Sequence, residues 1–171
     1  KGAASIQQAL RIASSTDTPA TGIKGKPEPF RLFFLNAATD AILGATVWLP
    51  LPLGIEIMSS VDAGVWHRYA LLFGTIPAIL AGFLLTALPR WTKQPAVSQF
   101  SVRLLAATWL AARGISFLST TVGLLLAAVF VLSLTVVAAR PVITSNDRRN
   151  FKVVLLLSCF CGSVVLSAGA W

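Results

Sequence analysis

The sequence predicts an all-α fold, a polytopic integral membrane bundle of five transmembrane helices. Of its 171 residues, 56% are hydrophobic and only 12% are charged, about half the charged share of an average soluble domain. Apolar stretches long enough to cross a hydrocarbon core of about 30 Å recur along the chain. Alternating strands of about ten residues do not, so helices are the remaining way to satisfy the backbone in a membrane. A soluble enzyme with one central core is excluded.

The spans are predicted at about 31–49, 67–88, 102–118, 120–139 and 151–170. Pro50, Pro89 and Pro141 are expected to end the first, second and fourth spans, because proline lacks a backbone donor and restricts the residue before it. Residues 1–29 are polar and contain several prolines and glycines. They predict a flexible cytoplasmic N-terminal arm, followed by a transmembrane domain over residues 30–171.

The basic residues predict the orientation. The net charge is +8, and twelve of the fourteen Lys and Arg residues, all but Arg68 and Arg113, fall on or near one side of the predicted bundle. By the positive-inside rule the N-terminus is cytoplasmic and the C-terminus lies on the far side of the membrane. These charges are interpreted as topology signals, with contacts to lipid phosphates or an acidic partner as the alternative. No nucleic-acid partner is expected.

Small residues recur at helical spacing and predict helix contacts, since helices in lipid associate through close packing. The two alternatives are a contact with other helices of the bundle and a contact with another subunit. The residues of these stripes are Gly74, Ala78 and Gly82 in the second span, Gly123 and Ala127 in the fourth, and Ser158 and Gly162 in the fifth. Pro77, within the first of these stripes, is expected to kink the second span.

Two charges of opposite sign fall inside the predicted spans at similar depth. Asp40 lies about 14 Å and Arg113 about 17 Å from the cytoplasmic side, at about 1.5 Å of rise per residue. Charges in a membrane usually pair or line a wet cavity, so a structural ion pair is predicted. Haem propionate binding by Arg113 and a proton route through Asp40 are the alternatives. Asn36, one turn before Asp40, is expected to join this polar patch.

Metal and haem ligands are sparse. His67 is the only histidine and Met58 the only methionine. His67 could ligate a haem iron or lie hydrated at the interface, whereas a His/Met axial pair has no geometric support. Cys159 and Cys161 point about 200° apart on a helix, so they are not expected to share a metal or form a disulfide.

Several short motifs, taken in order, resemble the NnrS family of bacterial membrane proteins. They are PFRLFFL at 29–35, WH at 66–67 with LFG at 72–74, AGFLLTA at 81–87 followed by Pro89, Trp91 and Thr92, WLA at 109–111 with Arg113, and RN at 149–150 with KVV at 152–154. The family is described as haem- and copper-containing and is associated with nitric oxide. Its members are roughly twice this length, so the resemblance is to their N-terminal half. The resemblance implies a bacterial inner membrane, in which a cytoplasmic N-terminus makes the C-terminus periplasmic.

The ligand positions depart from the family pattern. The family has Trp-His-x-His-Glu-Met at the mouth of the second helix, whereas residues 66–71 read WHRYAL. His67 is retained, and Tyr69 replaces the second histidine. Copper is therefore not expected, because a multi-histidine site is missing. If haem is bound, the resemblance implies a site of His67 as metal ligand with Tyr69 and Arg113.

Two functions follow as expectations. The first is a non-enzymatic, NnrS-like accessory or structural subunit of a membrane complex, which binds no cofactor and contacts membrane lipids and partner subunits. The second is a haem-binding membrane protein of the nitric oxide response that uses His67. A transporter is disfavoured, because the sequence has neither an inverted repeat nor paired broken helices.

Overall fold

A computed structural model describes residues 29–55, 63–145 and 148–169 of the chain. Within these ranges the chain is all-helical and forms no strand, in agreement with the predicted fold class. The predicted flexible arm, residues 1–29, lies outside the described residues except for Pro29, and Met58 also lies outside them.

Five long helices form the bundle. Helix α1 is Pro29–Trp48, and α2 runs without a break from 63 to 92 through the segments Ala63–Tyr69, Ala70–Thr75 and Ile76–Thr92, of which the middle one is π-helical. Helices α3, α4 and α5 are Gln99–Ser116, Thr120–Ser145 and Phe151–Gly169. Short 3₁₀ turns at Leu51–Leu53 and Arg148–Asn150 follow α1 and precede α5.

Four of these helices are long and apolar enough to cross a membrane: α1, the part Trp66–Thr92 of α2, α4 and α5. Helix α3 does not meet the same criterion. Its 18 residues include Gln99, Arg103 and Arg113, which lower its mean hydropathy. The prediction of five helices is confirmed, but the prediction of five membrane spans is not.

Two helix ends were predicted wrongly. Helix α2 continues through Pro89 to Thr92, and α4 continues through Pro141 to Ser145. A proline removes one hydrogen bond to the preceding turn, but close to a helix end few bonds depend on that turn. Helix α2 instead ends at Thr92, and the next residue, Lys93, has a φ of 54° in the left-handed region.

The core lies where α2 and α4 meet. About half of the apolar membrane-crossing stretch of each of these helices is buried against the rest of the chain (56% and 50%). In the corresponding stretches of α1 and α5, only 22% and 17% of the residues are buried. Helix α1 packs along α2, α3 along α4, and α4 along α5. The buried side of α1 is a single stripe, in which Asp40 lies among Phe33, Ala37 and Gly44. Its position on that stripe directs the carboxylate into the bundle.

The small-residue stripes have different surroundings. Gly82 faces Phe33 and Phe34 of α1, and Gly123 faces Ser116 of α3, both at distances that leave no room for a Cβ. Ala78 and Ala127 are buried. In contrast, Ser158 and Gly162 are exposed, and an added Cβ at Gly162 would meet nothing within 4 Å. The close contact expected for the α5 stripe is therefore not made within the described chain, and this face of α5 instead lines a groove beside α4.

Candidate functional site: a buried ion pair between three helices

The structure brings together the two intramembrane charges that depth and sign had indicated. Arg113 Nε lies 2.6 Å from Asp40 Oδ1, and the two side chains are only 12% and 6% exposed. A pair this deeply buried has been withdrawn from water, so it stabilises the fold only if its remaining polar atoms also find partners. The hydrogen bonds around it therefore decide what the site can do.

Helix α2 supplies the second partner of the carboxylate. Thr75 Oγ1 donates to Asp40 Oδ2 at 2.7 Å, so both carboxylate oxygens are occupied. Thr75 is the last residue of the π-helical segment, where the Ile76 N–H bonds to Leu71 O, five residues back. Pro77 follows, and it has no N–H to donate to Phe73 O, which favours an irregular turn at this place. The result is that α1, α2 and α3 meet at one carboxylate.

Gly74 leaves room for the Arg113 side chain, because it has no Cβ. A Cβ at this position would lie 2.8 Å from Arg113 Nε and 2.9 Å from its Cζ, so the guanidinium rests directly on the α2 backbone. Trp109, one turn before Arg113 on α3, donates from Nε1 to Gly74 O at 2.9 Å. The sequence predicted Gly74 as a helix-packing residue. In the structure the group that packs against it is a charged side chain.

The rest of the guanidinium contacts the N-terminal part of α2 and the C-terminal end of α3. Arg113 Nη1 donates to Ser116 Oγ at a long 3.4 Å, and Ser116 Oγ itself donates to Arg113 O at 2.7 Å. The Trp66 ring lies 5.5 Å from Arg113 Cζ, within the range of a cation–π interaction. Asn36 does not join the patch, and its Nδ2 is buried with no hydrogen-bond partner among the described residues.

His67 and Tyr69 do not lie on one side of α2. The His67 ring stacks on Trp48 of α1 at 5.2 Å, and the Tyr69 ring stacks on Phe73 at 5.6 Å. Residues two apart on a helix point in nearly opposite directions, which explains the separation. Tyr69 and Arg113 do line a common cavity, but His67 does not, and the cavity measures only about 20 Å³. Pockets for cofactor-sized ligands measure about 300–1,000 Å³, so these three residues do not fit one haem site as they are placed.

Metal ligands are not gathered elsewhere in the part of the chain that the structure describes. These ranges contain no group of three or more His, Cys, Asp or Glu residues able to hold a metal ion. Cys159 is exposed, and the Cys161 thiol faces Ala128 O at 3.7 Å, so the two sulfurs lie in different environments.

Sequence reasoning missed Thr75, Trp109 and Ser116. A threonine two residues before a proline inside an apolar span was an available signal for Thr75. The other two were indistinguishable from packing or interface residues, because their roles depend on which face of α3 meets α2. As assembled, the site joins three helices through charge-assisted hydrogen bonds, which are stronger than neutral ones.

We expect Thr75→Val to lower the free energy of unfolding by about 1.5–3 kcal/mol, the usual range for a hydrogen bond to a charged group. Thr135→Val is the matched control, because Thr135 is equally buried (7%) but bonds only to Val131 O of its own helix. Reversible unfolding in mixed detergent micelles measures both. Equal losses in the two variants would show that the Thr75 bond to Asp40 has no special weight.

The fold and site together define an all-helical protein with at least four helices able to span a membrane and a buried inter-helix ion pair at its centre. The chain belongs to the NnrS protein family, whose sequence profile matches residues 27–171. No curated protein and no solved structure matches the chain significantly.

Proposed function

We propose that the chain is an accessory or structural subunit of a bacterial membrane complex, without enzymatic activity of its own. The observation that carries this proposal is that Arg113 pairs with Asp40 at 2.6 Å and contacts the α2 backbone. A residue held in this way contributes to helix assembly. Tyr69 and His67, the other candidate haem residues, stack on different aromatic neighbours.

The outer helices support an assembly role. On α1 and α5 large apolar side chains are extensively exposed, and five of them are 64–76% exposed: Leu35, Ile42, Leu155, Leu156 and Leu166. Contiguous apolar surface of this kind is covered either by lipid or by another membrane protein. We place the chain in the inner membrane with its N-terminus cytoplasmic, because Arg90 and Lys93 lie at the end of α2 opposite to His67.

Haem binding through His67 is the second candidate function. Its support is the His67 Nδ1 atom, which is buried and has no hydrogen-bond partner among the described residues. An imidazole nitrogen in that state is available to an exogenous partner. Haem would supply iron chemistry, but the cavity that Tyr69 and Arg113 share measures only about 20 Å³ and is not lined by His67.

Two measurements on the full-length chain test the proposal. The chain should migrate in a discrete assembly larger than its own detergent-solubilised monomer on native electrophoresis of its source membranes. After expression with ample haem supply, the purified chain should show no Soret band. A band that is present in the parent and lost in His67→Ala, but retained in Arg68→Ala, would overturn the structural role in favour of haem binding. A monomeric chain in its native membrane would contradict it independently.

A further inference from the structure

Three side chains that each carry a buried polar atom line one small cavity. The cavity measures about 20 Å³ and is lined by α2, α3 and α4. Trp66 on α2, Arg113 on α3 and Thr120 at the start of α4 all contribute to its wall.

Each of these side chains has one buried polar atom with no hydrogen-bond partner among the described residues: Trp66 Nε1, Arg113 Nη2 and Thr120 Oγ1. Trp66 is only 1% exposed, so bulk water does not reach its indole. Indole and guanidinium N–H groups are donors only. Leaving such donors buried and unpaired is costly, and native structures rarely do so.

The remaining wall does not provide the missing acceptor. It is mostly apolar, its other polar side chains are Tyr69 and Ser116, and neither accepts a hydrogen bond from Trp66 Nε1 or Arg113 Nη2. Trp109 shows the contrast, since its indole N–H has a protein acceptor in Gly74 O at 2.9 Å. The occupant that completes the cavity must therefore accept hydrogen bonds.

We infer that this cavity is a binding site for a single small hydrogen-bond acceptor, a water molecule or a chloride ion, held by Trp66, Arg113 and Thr120. A space of about 10–15 Å³ or more holds one water, so the volume admits one such particle and excludes a larger ligand. The charge of Arg113 is balanced by Asp40, which suits a neutral water. The positive N-terminal end of α4 lies in the same wall at Thr120, which suits an anion. The site does not depend on the chain being an accessory subunit.

A high-resolution structure of the full chain, determined with chloride replaced by bromide, identifies the occupant. An anomalous peak between Trp66 Nε1 and Arg113 Nη2 would identify a halide. Density at that point without anomalous signal would identify water. Both results support the site, and a continuous absence of density there, with the three side chains ordered, would overturn it.

Stability provides a second, independent test. With an acceptor bound, Thr120→Val, which nearly preserves shape, loses one hydrogen bond and should lower Tm, by about 2–4 °C for a chain of this size. Without one, Thr120→Val removes only an unpaired hydroxyl and should leave Tm unchanged or raise it. Trp66→Phe is not used for this test, because it also removes ring volume and the contact with Arg113. An unchanged or raised Tm for Thr120→Val overturns the site.

Discussion

Replacing Arg113 by methionine should lower the free energy of unfolding by about 3–5 kcal/mol, the usual cost of removing one partner of a buried ion pair. The reason is that Asp40 is only 6% exposed and would lose the cation beside it, which leaves the Thr75 hydroxyl as the remaining partner of a buried carboxyl group. Unfolding in mixed detergent micelles measures the loss. Arg103→Met is the control, because Arg103 is on the same helix but exposed, and a change within about 0.5 kcal/mol is expected there.

The double variant Asp40→Leu with Arg113→Met should lose much less stability than Arg113→Met alone. Replacing both members of a buried pair by apolar side chains leaves no uncompensated charge, and such replacements are often neutral or stabilising. The comparison separates the cost of an orphaned charge from the contribution of the pair. Additive losses from the two single variants would show that Asp40 and Arg113 do not interact energetically, and would contradict the ion pair.

Gly123→Ala should be the most damaging of the glycine substitutions, with a loss of about 1–3 kcal/mol or more from overpacking. An alanine Cβ there would lie 2.6 Å from Ser116 Cβ and 2.7 Å from Ser116 Cα, on the neighbouring helix α3. A backbone atom cannot move aside by changing a rotamer, so α3 and α4 must separate. Thermal and detergent unfolding of the purified chain measure the loss.

Gly162→Ala is the matched control for Gly123→Ala. Both glycines lie within helices, but a Cβ at Gly162 meets nothing within 4 Å. Alanine is a better helix former than glycine by about 0.5–1 kcal/mol, so this variant should be neutral or slightly more stable. If Gly162→Ala is as destabilising as Gly123→Ala in detergent, the contrast between a buried α3–α4 contact and an open α5 face is wrong.

Predictions from the sequence were confirmed where they depend only on the apolar length of a helix or on the depth of a residue along it. The apolar stretches predicted the helices, and the depth and opposite sign of Asp40 and Arg113 predicted their meeting. The predicted helix ends at Pro89 and Pro141 were wrong. A proline near a helix end removes little helix stability, and the turn beyond it can still form. The α5 stripe at Ser158 and Gly162 failed as an internal contact, since spacing defines a face but does not say what lies opposite it.

The sequence by itself determined the helical class, the number of long helices and the family, because these follow from apolar length and short motifs that are local in the chain. Only the tertiary structure decided that Thr75, Gly74 and Trp109 join the ion pair, and that His67 and Tyr69 point to different neighbours. The physical reason is that the sequence does not fix how each helix is rotated about its own axis. Hydropathy sets the depth of a residue in a membrane, but lipid and protein interior are equally apolar, so the pattern along a helix does not reveal which side meets which helix. That choice is made by close packing across α1, α2 and α3, where a glycine lets an arginine reach a carboxylate.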